Sequence, residues 1–384
     1  NIILLHDSGG DRTQTIQAIP RIVQELRQRG FEFVSVGELL GRSRDAVMPL
    51  VPPDSQWRTW LDGAAFGFLS WSAATIHWLF LLGIVLGIAR LSLVGALALY
   101  QRWQQRRAVF DPAYSPTVAV VIPAYNEEKV IVQTIASLLA CEHPRQFEII
   151  VVDDGSSDAT YRVASETFAN DPRVRVLTKS NGGKPAALTL GMAQTQAEVV
   201  VALDADTVFT RETICKLVRH FADPRVGAVA GNAKVGNRIN LLTRWQALEY
   251  ITSQNLDRRA FGVLNCITVV PGAVGAWRRE LIEQVGGFTD RTLAEDADLT
   301  LAIRRLGYAI VYEDEAVALT EAPDTVRGFI RQRYRWMYGT MQAAWKHREV
   351  LFRRQYGALG FVALPNVIDR KSTRLNSSHS DRSR

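Results

Sequence analysis

Apolar residues follow three different rhythms along this chain. From Ala64 to Tyr100 they form one dense run with no Asp, Glu or Lys and a single Arg, and the nineteen residues from Trp71 to Ala89 carry no formal charge apart from His77. A helix crosses a hydrocarbon core with about 20 consecutive apolar residues, so the run predicts one transmembrane helix and leaves no room for two. Arg90 either ends the span or snorkels from inside it. Arg102, Arg106 and Arg107 follow at once. An excess of cations marks the cytoplasmic flank, so the downstream chain is expected in the cytoplasm and the upstream part outside.

Beyond the span, short β-branched runs alternate with segments of helical period. A strand from Val118 breaks at Pro123 into the loop Ala124-Tyr125-Asn126-Glu127-Glu128, and a helix starts at Glu127 (Val130, Ile131, Ile135, Leu138, Leu139). Strand 147–152 ends in Asp153-Asp154-Gly155-Ser156-Ser157-Asp158, then helix 159–169, strand 173–177, loop Asn181-Gly182-Gly183-Lys184-Pro185 and helix 186–194 follow. The run Val199 to Leu203 ends in Asp204-Ala205-Asp206. Alternating strands and helices predict a parallel sheet with right-handed crossovers. The polar residues gather at strand carboxyl ends, where open α/β sheets bind ligands. A helix over 324–347, capped by Asp324, mixes Phe329, Tyr334, Trp336, Met337, Tyr338 and Trp345 with Arg327, Arg331, Arg333 and Arg335, which suits a membrane surface. Residues 356–368 open a second apolar run.

Upstream of the span, Ile2 to Asp7 read as a strand, 13–29 as a helix stopped by Gly30, and 31–36 as an alternating strand. Opening on Asn1 with an unpartnered strand, the chain reads as a piece of a longer protein. The net charge of +6 is uninformative, because residues 370–384 hold five Lys/Arg against one Asp, +4 of the total, and leave +2 for the rest. No nucleic-acid partner is inferred. Cys141, Cys215 and Cys266 are far apart, without zinc spacing or a disulfide framework. No G-x-G-x-x-G follows a strand, so dinucleotide redox chemistry is unsupported.

Asp204 and Asp206 lie two apart, so on an extended backbone they share a side. Two adjacent carboxylates repel unless a cation lies between them, and hard oxygen donors suit Mg²⁺ or Mn²⁺. Glu295-Asp296-Ala297-Asp298 reads as an acidic helix start, favoured by the helix dipole.

Over residues 116–348 the motifs resemble a family-two glycosyltransferase of the processive membrane polysaccharide synthase type (poly-N-acetylglucosamine, chitin, hyaluronan or cellulose synthase-like). Val121-Ile122-Pro123-Ala124-Tyr125-Asn126-Glu127 resembles the opening nucleotide loop, and Val152-Asp153-Asp154-Gly155-Ser156 the second. Gly183-Lys184 resembles the Gly-Lys loop, Asp204-Ala205-Asp206 the metal motif, Ala294-Glu295-Asp296 the acidic motif, and Gln332-Arg333-Tyr334-Arg335-Trp336 the Gln-x-x-Arg-Trp motif. The resemblance implies an α/β fold: a Rossmann-like nucleotide-diphospho-sugar transferase (GT-A) domain with a mixed, mostly parallel sheet, preceded by the transmembrane helix. It implies nucleotide contacts from Pro123, Tyr125, Glu127, Asp153, Asp154 and Lys184, with Asp154 preferred over Asp153 at the base. It further implies a metal on Asp204 and Asp206, a general base at Asp296, and diphosphate or acceptor contacts from Glu295, Gln332, Arg335 and Trp336. A base opposite the leaving group implies inversion. The segment 270–275 departs from the Ser-Gly form of the synthases' acceptor segment, which leaves the acceptor open.

Residues 1–41 resemble the end of a polysaccharide deacetylase (β/α) barrel, where Leu5-His6 would supply that family's catalytic His6. Its metal-binding motifs are absent here, so no deacetylation is expected. The expected organisation is therefore a deacetylase remnant at 1–41, a linker at 42–63, and the membrane helix with its basic flank at 64–107. The glycosyltransferase domain covers 108–323, an interface helix 324–348, the start of a membrane region 349–369, and a non-native tail 370–384. Deacetylase plus synthase suggests a UDP-N-acetylglucosamine donor, a β-linked glycan acceptor, lipid contact and an inner-membrane location. Single-sugar transfer to a lipid, a nucleotide-sugar sensor without turnover, the hydrolase that the N-terminus resembles, and a bifunctional full-length deacetylase/transferase whose deacetylase part is inactive in this chain are the competing readings.

Overall fold

The computed structural model describes residues 13–50, 52–142 and 147–368, and the chain divides into two units, Asn1–Leu86 and Gly87–Arg384. His6, the strand expected at 2–7 and the tail 370–384 lie outside the described residues.

In the first unit the helix Thr13–Gln28 forms where its periodicity placed it, and Gly30 follows at φ +83°, the left-handed conformation that suits glycine after a helix end. The strand expected at 31–36 does not form. Residues 31–35 are irregular, and Val36–Leu39 is a helical turn in which Ser35 and Glu38 make a reciprocal capping box. Alternation makes a strand only where a neighbour completes its hydrogen bonds and covers one face. Among the described residues this unit has no second strand, and Phe31, Phe33 and Val34 are exposed. The linker region contains a further short helix, Arg44–Val47.

The apolar run lies in one helix, Gln56–Arg107, of 52 residues. At 1.5 Å per residue that is about 78 Å, more than twice a hydrocarbon core. Val94 and Ala98 are its buried residues. Its last turns belong to the second unit. Gln101 Nε2 donates to Tyr312 O at 3.4 Å, and Gln105 Nε2 donates to the buried Glu313 carboxylate.

The second unit is built on an eight-stranded sheet: β1 (Val118–Ala124), β2 (Glu148–Asp153), β3 (Val174–Thr178), β4 (Val199–Ala202), β5 (Val208–Phe209), β6 (Val226–Val235), β7 (Gly275–Arg278) and β8 (Ala309–Thr320). The order is β3-β2-β1-β4-β7-β6-β8-β5. The first four are parallel, β7 runs antiparallel to β4 and β6, β8 is parallel to β6, and β5 is antiparallel to β8. The sheet is thus mixed and mostly parallel. Its central strands are covered on both faces, which explains their unbroken apolar runs. Val120, Ile122, Val199 and Val201 share a core with Ile131, Ile135 and Leu138, whereas Val121, Val200 and Ala202 share one with Leu188 and Met192.

Three local expectations are corrected. Pro123 does not end β1, which continues through Ala124 opposite Asp153. Val121 O accepts from Leu203 N on the β4 side, and Pro123, two residues on, faces that same side after the β1–β4 pairing has stopped at Val121 and Ala202. No ladder donor is missed there. The first helix begins at Ile131 rather than Glu127, because the Glu127 and Glu128 amides donate sideways to Thr160 and Asp158. The helix Val326–Lys346 is capped by Thr325, whose Oγ1 accepts from Gly328 N at 3.2 Å, and not by Asp324. The described part of the second apolar run is helical and packs inward: Leu359, Ala363 and Leu364 join Ala294, Ala297, Leu301 and Ala343 in one cluster.

Candidate active site

The carboxyl ends of β1 and β2 carry two interlocked turns. Asn126, at φ +57°, accepts from Ser157 N at 2.8 Å through Oδ1 and donates its own amide to Ser156 Oγ at 2.9 Å. Glu128 Oε2 accepts from Ala159 N at 2.9 Å. Asp153 accepts from Thr178 Oγ1 at 2.8 Å and Ser156 N at 3.3 Å. Asp154 accepts from Lys179 Nζ at 2.7 Å, Gly182 N at 3.0 Å and Gly183 N at 2.7 Å. Both buried acids fasten loops here. Asp154 in particular holds the Asn181–Gly183 loop, which sequence reasoning did not foresee. Pro123 is half-buried and Tyr125 exposed beside these turns.

At the end of β4 the alternation holds: Leu203 and Ala205 are buried while Asp204 and Asp206 stay partly open to solvent on the other side. Thr134 Oγ1 donates to Ala205 O at 2.7 Å and fixes the turn. Lys184 opens the helix Lys184–Ala193 after Gly183 at φ +84°. Its Nζ sits 2.6 Å from Asp204 Oδ1 and 2.9 Å from Glu295 Oε1, so it bridges the β4 end to the start of the helix Glu295–Arg305. Asp296 Oδ2 accepts from Gly272 N at 3.3 Å and Oδ1 from Ala297 N at 2.8 Å. A Cβ on Gly272 would lie 2.6 Å from Lys184 Nζ. The small-residue segment therefore covers the Lys184–Asp204 pair.

These acids crowd one another. Burial, then the charge of Asp204, pushes Asp206 up to about 6, although Thr207 and Thr320 hydroxyls oppose the shift. Burial and Glu295 push Asp296 up to about 6, against the pull of Lys184. Burial, then Asp206 and Glu321, pushes Glu127 up to about 7. Burial weakens the Lys184 ammonium, but Asp204, Glu295 and Asp296 outweigh it and raise its pKa. The site has more negative charge than its own residues offset. Among the described residues no group of three or more His, Cys, Asp and Glu forms a closed ligand set. Two hard carboxylates with surplus charge fit a divalent ion that shares its remaining sites with substrate phosphates, so Asp204 and Asp206 fit Mg²⁺ or Mn²⁺.

The helix Val326–Lys346 forms one wall. Trp336 is half-buried, with its ring 6.3 Å from Tyr250 and Arg333 over its face at 4.6 Å. Burial pushes the Tyr250 hydroxyl up to about 12, against the pull of Arg333. Arg333 pairs with Glu249 at 2.7 Å. Gln332 is half-buried with its Oε1 enclosed and unpartnered, and Arg335 is exposed. Asp298 binds Lys346 Nζ at 2.6 Å and His347 Nε2 at 2.9 Å, locking this helix to the acid-bearing one. Sequence reasoning missed Glu321, Tyr250 and Arg258. Glu321 follows the end of β8, so strand-end position was its only available signal. A cleft of about 380 Å³ lined by Thr117, Phe147, Pro172 and Ala197 lies at the opposite, amino-terminal edge of the sheet.

Residues 116–339, and with them every acid just described, match the family described as "Glycosyltransferase like family 2". The chain belongs to this glycosyltransferase family. The matched region begins downstream of residues 1–41 and of the long apolar helix. The glycosyltransferase is 35% identical over 245 residues to "Probable glycosyltransferase YdaM" of Bacillus subtilis, covering 62% of this chain and 58% of that one. It is 30% identical over 223 residues to "Poly-beta-1,6-N-acetyl-D-glucosamine synthase" of Staphylococcus epidermidis, covering 58% and 54%. The chain thus spans just over half the length of these curated relatives. Among solved structures it is similar to "Mannosyltransferase PcManGT from Pyrobaculum calidifontis in complex with GDP-Man and Mn2+", at a TM-score of 0.57 and 25% identity, covering 75% of this chain and 84% of that one. The GT-A-like fold implied by the motifs is what the sheet and this neighbour display.

Proposed function

We propose that this chain is the catalytic part of an inverting, metal-dependent glycosyltransferase that moves N-acetylglucosamine from a UDP-sugar onto a growing β-linked polysaccharide at the cytoplasmic face of the inner membrane. The observation that carries the reading is the acid cluster around Lys184: Asp204 and Asp206 on one side, Glu295 and Asp296 on the other, with Asp296 weakened as an acid beside it. Asp296 takes the proton of the acceptor hydroxyl. The acceptor oxygen bonds to the anomeric carbon as the bond to the diphosphate breaks, and its electron pair leaves with UDP. A carboxylate raised toward neutrality is better matched to such proton transfer than an ordinary one. Asp204 and Asp206 would hold the divalent ion, whose contribution is to offset the charge of the leaving diphosphate. Lys184 holds Asp204 and Glu295 in register, and Trp336 offers an aromatic face to the apolar side of a sugar ring.

The donor choice leans on the poly-β-1,6-N-acetylglucosamine synthase relative, and the metal on the Mn²⁺ of the mannosyltransferase neighbour. The membrane location leans on the helix Gln56–Arg107, the one helix among the described residues long and apolar enough to cross. The reading of 1–41 as the end of a deacetylase domain rests on the resemblance of that segment to the family's last strand and helix, with Leu5-His6 as its motif, and assigns no activity to this chain.

The test is nucleoside diphosphate release by the full chain in lipid nanodiscs, with UDP-N-acetylglucosamine, UDP-glucose or GDP-mannose and Mg²⁺, Mn²⁺ or EDTA. Metal-dependent release from UDP-N-acetylglucosamine, lost in Asp296→Asn, supports the reading. Turnover of UDP-glucose or GDP-mannose alone overturns the donor, and no turnover of any overturns the enzyme. Product sizing separates polymer growth from single-sugar transfer.

A further inference from the structure

One oxygen of the proposed metal-binding pair already carries a cation. Lys184 Nζ lies 2.6 Å from Asp204 Oδ1 and 2.9 Å from Glu295 Oε1. The Lys184 side chain is 34% exposed and the Asp204 side chain 36%, so an ion or a nucleotide can reach both. Asp206 is held differently. Its Oδ1 accepts from the Thr207 and Thr320 hydroxyls at 3.2 and 3.3 Å, neutral donors that a divalent ion tolerates as neighbours. The ammonium on Asp204 is not such a neighbour. Two cations about 4 Å apart repel far more strongly in a partly enclosed site than in bulk water.

The surroundings let the ammonium move while its backbone stays. Asp154 accepts from the Gly182 and Gly183 amides at 3.0 and 2.7 Å, which anchors the chain just before Lys184. The charge itself sits at the end of a flexible four-carbon stem with rotatable donors. Gly272 lies against it: an added Cβ there would stand 2.6 Å from Nζ but 3.8 Å from Asp204 Oδ1. Glycine thus leaves the room that the ammonium fills, and a methyl group in that room would meet the lysine tip without crowding the carboxylate.

We propose that Lys184 is a place-holding cation, which competes with the divalent ion for Asp204 and passes to the diphosphate of the nucleotide sugar as that ion binds. This rests on the glycosyltransferase reading above. Until the exchange, Lys184 keeps Asp204 and Glu295 in register. Afterwards its charge offsets the leaving diphosphate instead. The exchange also couples the two ligands: the ion frees the ammonium, the diphosphate gives it a new partner, and each therefore favours the other.

The test is Mn²⁺ binding to the full chain in phosphatidylcholine nanodiscs, read from the paramagnetic resonance of the free ion. It compares the wild type with Lys184→Met, Lys184→Arg and Gly272→Ala. Calorimetry at saturating Mn²⁺ gives the affinity for UDP or GDP, whichever the wild type binds. Without nucleotide, Lys184→Met should bind Mn²⁺ about tenfold or more tightly than the wild type, because a competing charge is gone. Its nucleotide affinity should fall by about tenfold, the loss of one charged hydrogen bond. Lys184→Arg keeps the charge and should stay within about threefold of the wild type for Mn²⁺. Gly272→Ala keeps the lysine but presses Nζ off Oδ1, and should tighten Mn²⁺ binding by about threefold or more. A permanent brace predicts the opposite sign, since Asp204 would lose its support. Weaker or unchanged Mn²⁺ binding in Lys184→Met overturns the proposal, and so does an unaltered nucleotide affinity. If Lys184→Met does not fold, Gly272→Ala decides, and weaker or unchanged Mn²⁺ binding there overturns it. A wild type that binds neither UDP nor GDP overturns the glycosyltransferase reading itself, a different and recognisable failure.

Discussion

Asp298→Asn should separate the two helices that frame the site. The Asp298 carboxylate is nearly buried and accepts on every side: Lys346 Nζ at 2.6 Å and Thr289 Oγ1 at 2.8 Å on Oδ2, and His347 Nε2 at 2.9 Å on Oδ1. Arg305 Nη1 donates to His347 Nδ1 at 3.2 Å, so Nε2 carries the proton that reaches Asp298. An asparagine must turn its NH₂ toward one of these donors. Burial raises the Asp298 pKa, but the His347, Lys346 and Thr289 bonds outweigh it and bring it down to about 2. Against an unfolded value of about 3.9, that is up to about 2.6 kcal/mol of stability, and about 2 after allowance for water at the rim. The folded pKa is depressed, so this stability is present above pH ~4 and fades as pH falls through the folded value, to about half by pH 3. The variant should melt roughly 4–8 °C below the wild type at pH 7. The gap should narrow in urea titrations at pH 3. A loss under about 2 °C at pH 7, or a gap independent of pH, would refute the claim that charge at Asp298 holds the helices together.

Asp296→Asn should lower kcat by about 10²–10⁴ while leaving UDP affinity intact. In the wild type the rate should fall as pH drops below about 6, where Asp296 takes up a proton, and a flat profile from pH 5 to 8 would exclude it as base. Asp154→Ala removes the acceptor for Lys179, Gly182 and Gly183 together, and should weaken UDP binding by about tenfold or more, read by calorimetry. Gly339→Ala would put a Cβ 2.6 Å from Ala294 N and 2.7 Å from Leu293 C, both backbone atoms, so the helix must shift away from the acidic loop. A loss of about 1–3 kcal/mol in denaturant melts is expected, with lower activity, and wild-type stability would show that the contact yields.

Much of the site was legible because its chemistry sits at strand ends. The β-branched runs of β1, β2 and β4 mark buried strands, and after β4 the two-residue repeat puts Asp204 and Asp206 on one side. The mixed half was less legible. β6, β7 and β8 pair across more than thirty residues of intervening chain, and no local pattern announces such partners. Residues 31–36 show the converse: a strand-like alternation without a neighbour stays irregular. Tyr250 and Arg258 escaped notice because a π turn changes the helical period, and a search at 3.6 residues puts them on different faces. Lys184 was placed near the nucleotide by its Gly-Lys resemblance, and its bridge between Asp204 and Glu295 is a three-dimensional proximity that no local pattern announces.

The surplus of acid has a thermodynamic consequence that sets function against stability. Asp206 is mostly buried, and burial with the Asp204 charge lifts its pKa to about 6. Against about 3.9 in the unfolded chain, the ionised form destabilises the fold by about 3 kcal/mol at pH 7. The folded pKa is raised, so the contribution favours folding below pH ~4 and is lost as pH climbs through about 6. Asp206→Asn should therefore raise the melting temperature in EDTA at pH 7, even as it removes turnover. Adding Mg²⁺ or Mn²⁺ should stabilise the wild type and not the variant, since binding to the folded state alone shifts the equilibrium. The two curves should approach each other as cation is added. If Asp206→Asn melts below the wild type in EDTA, the carboxylate is held by the protein for its own stability, and the argument that these acids await a cation fails.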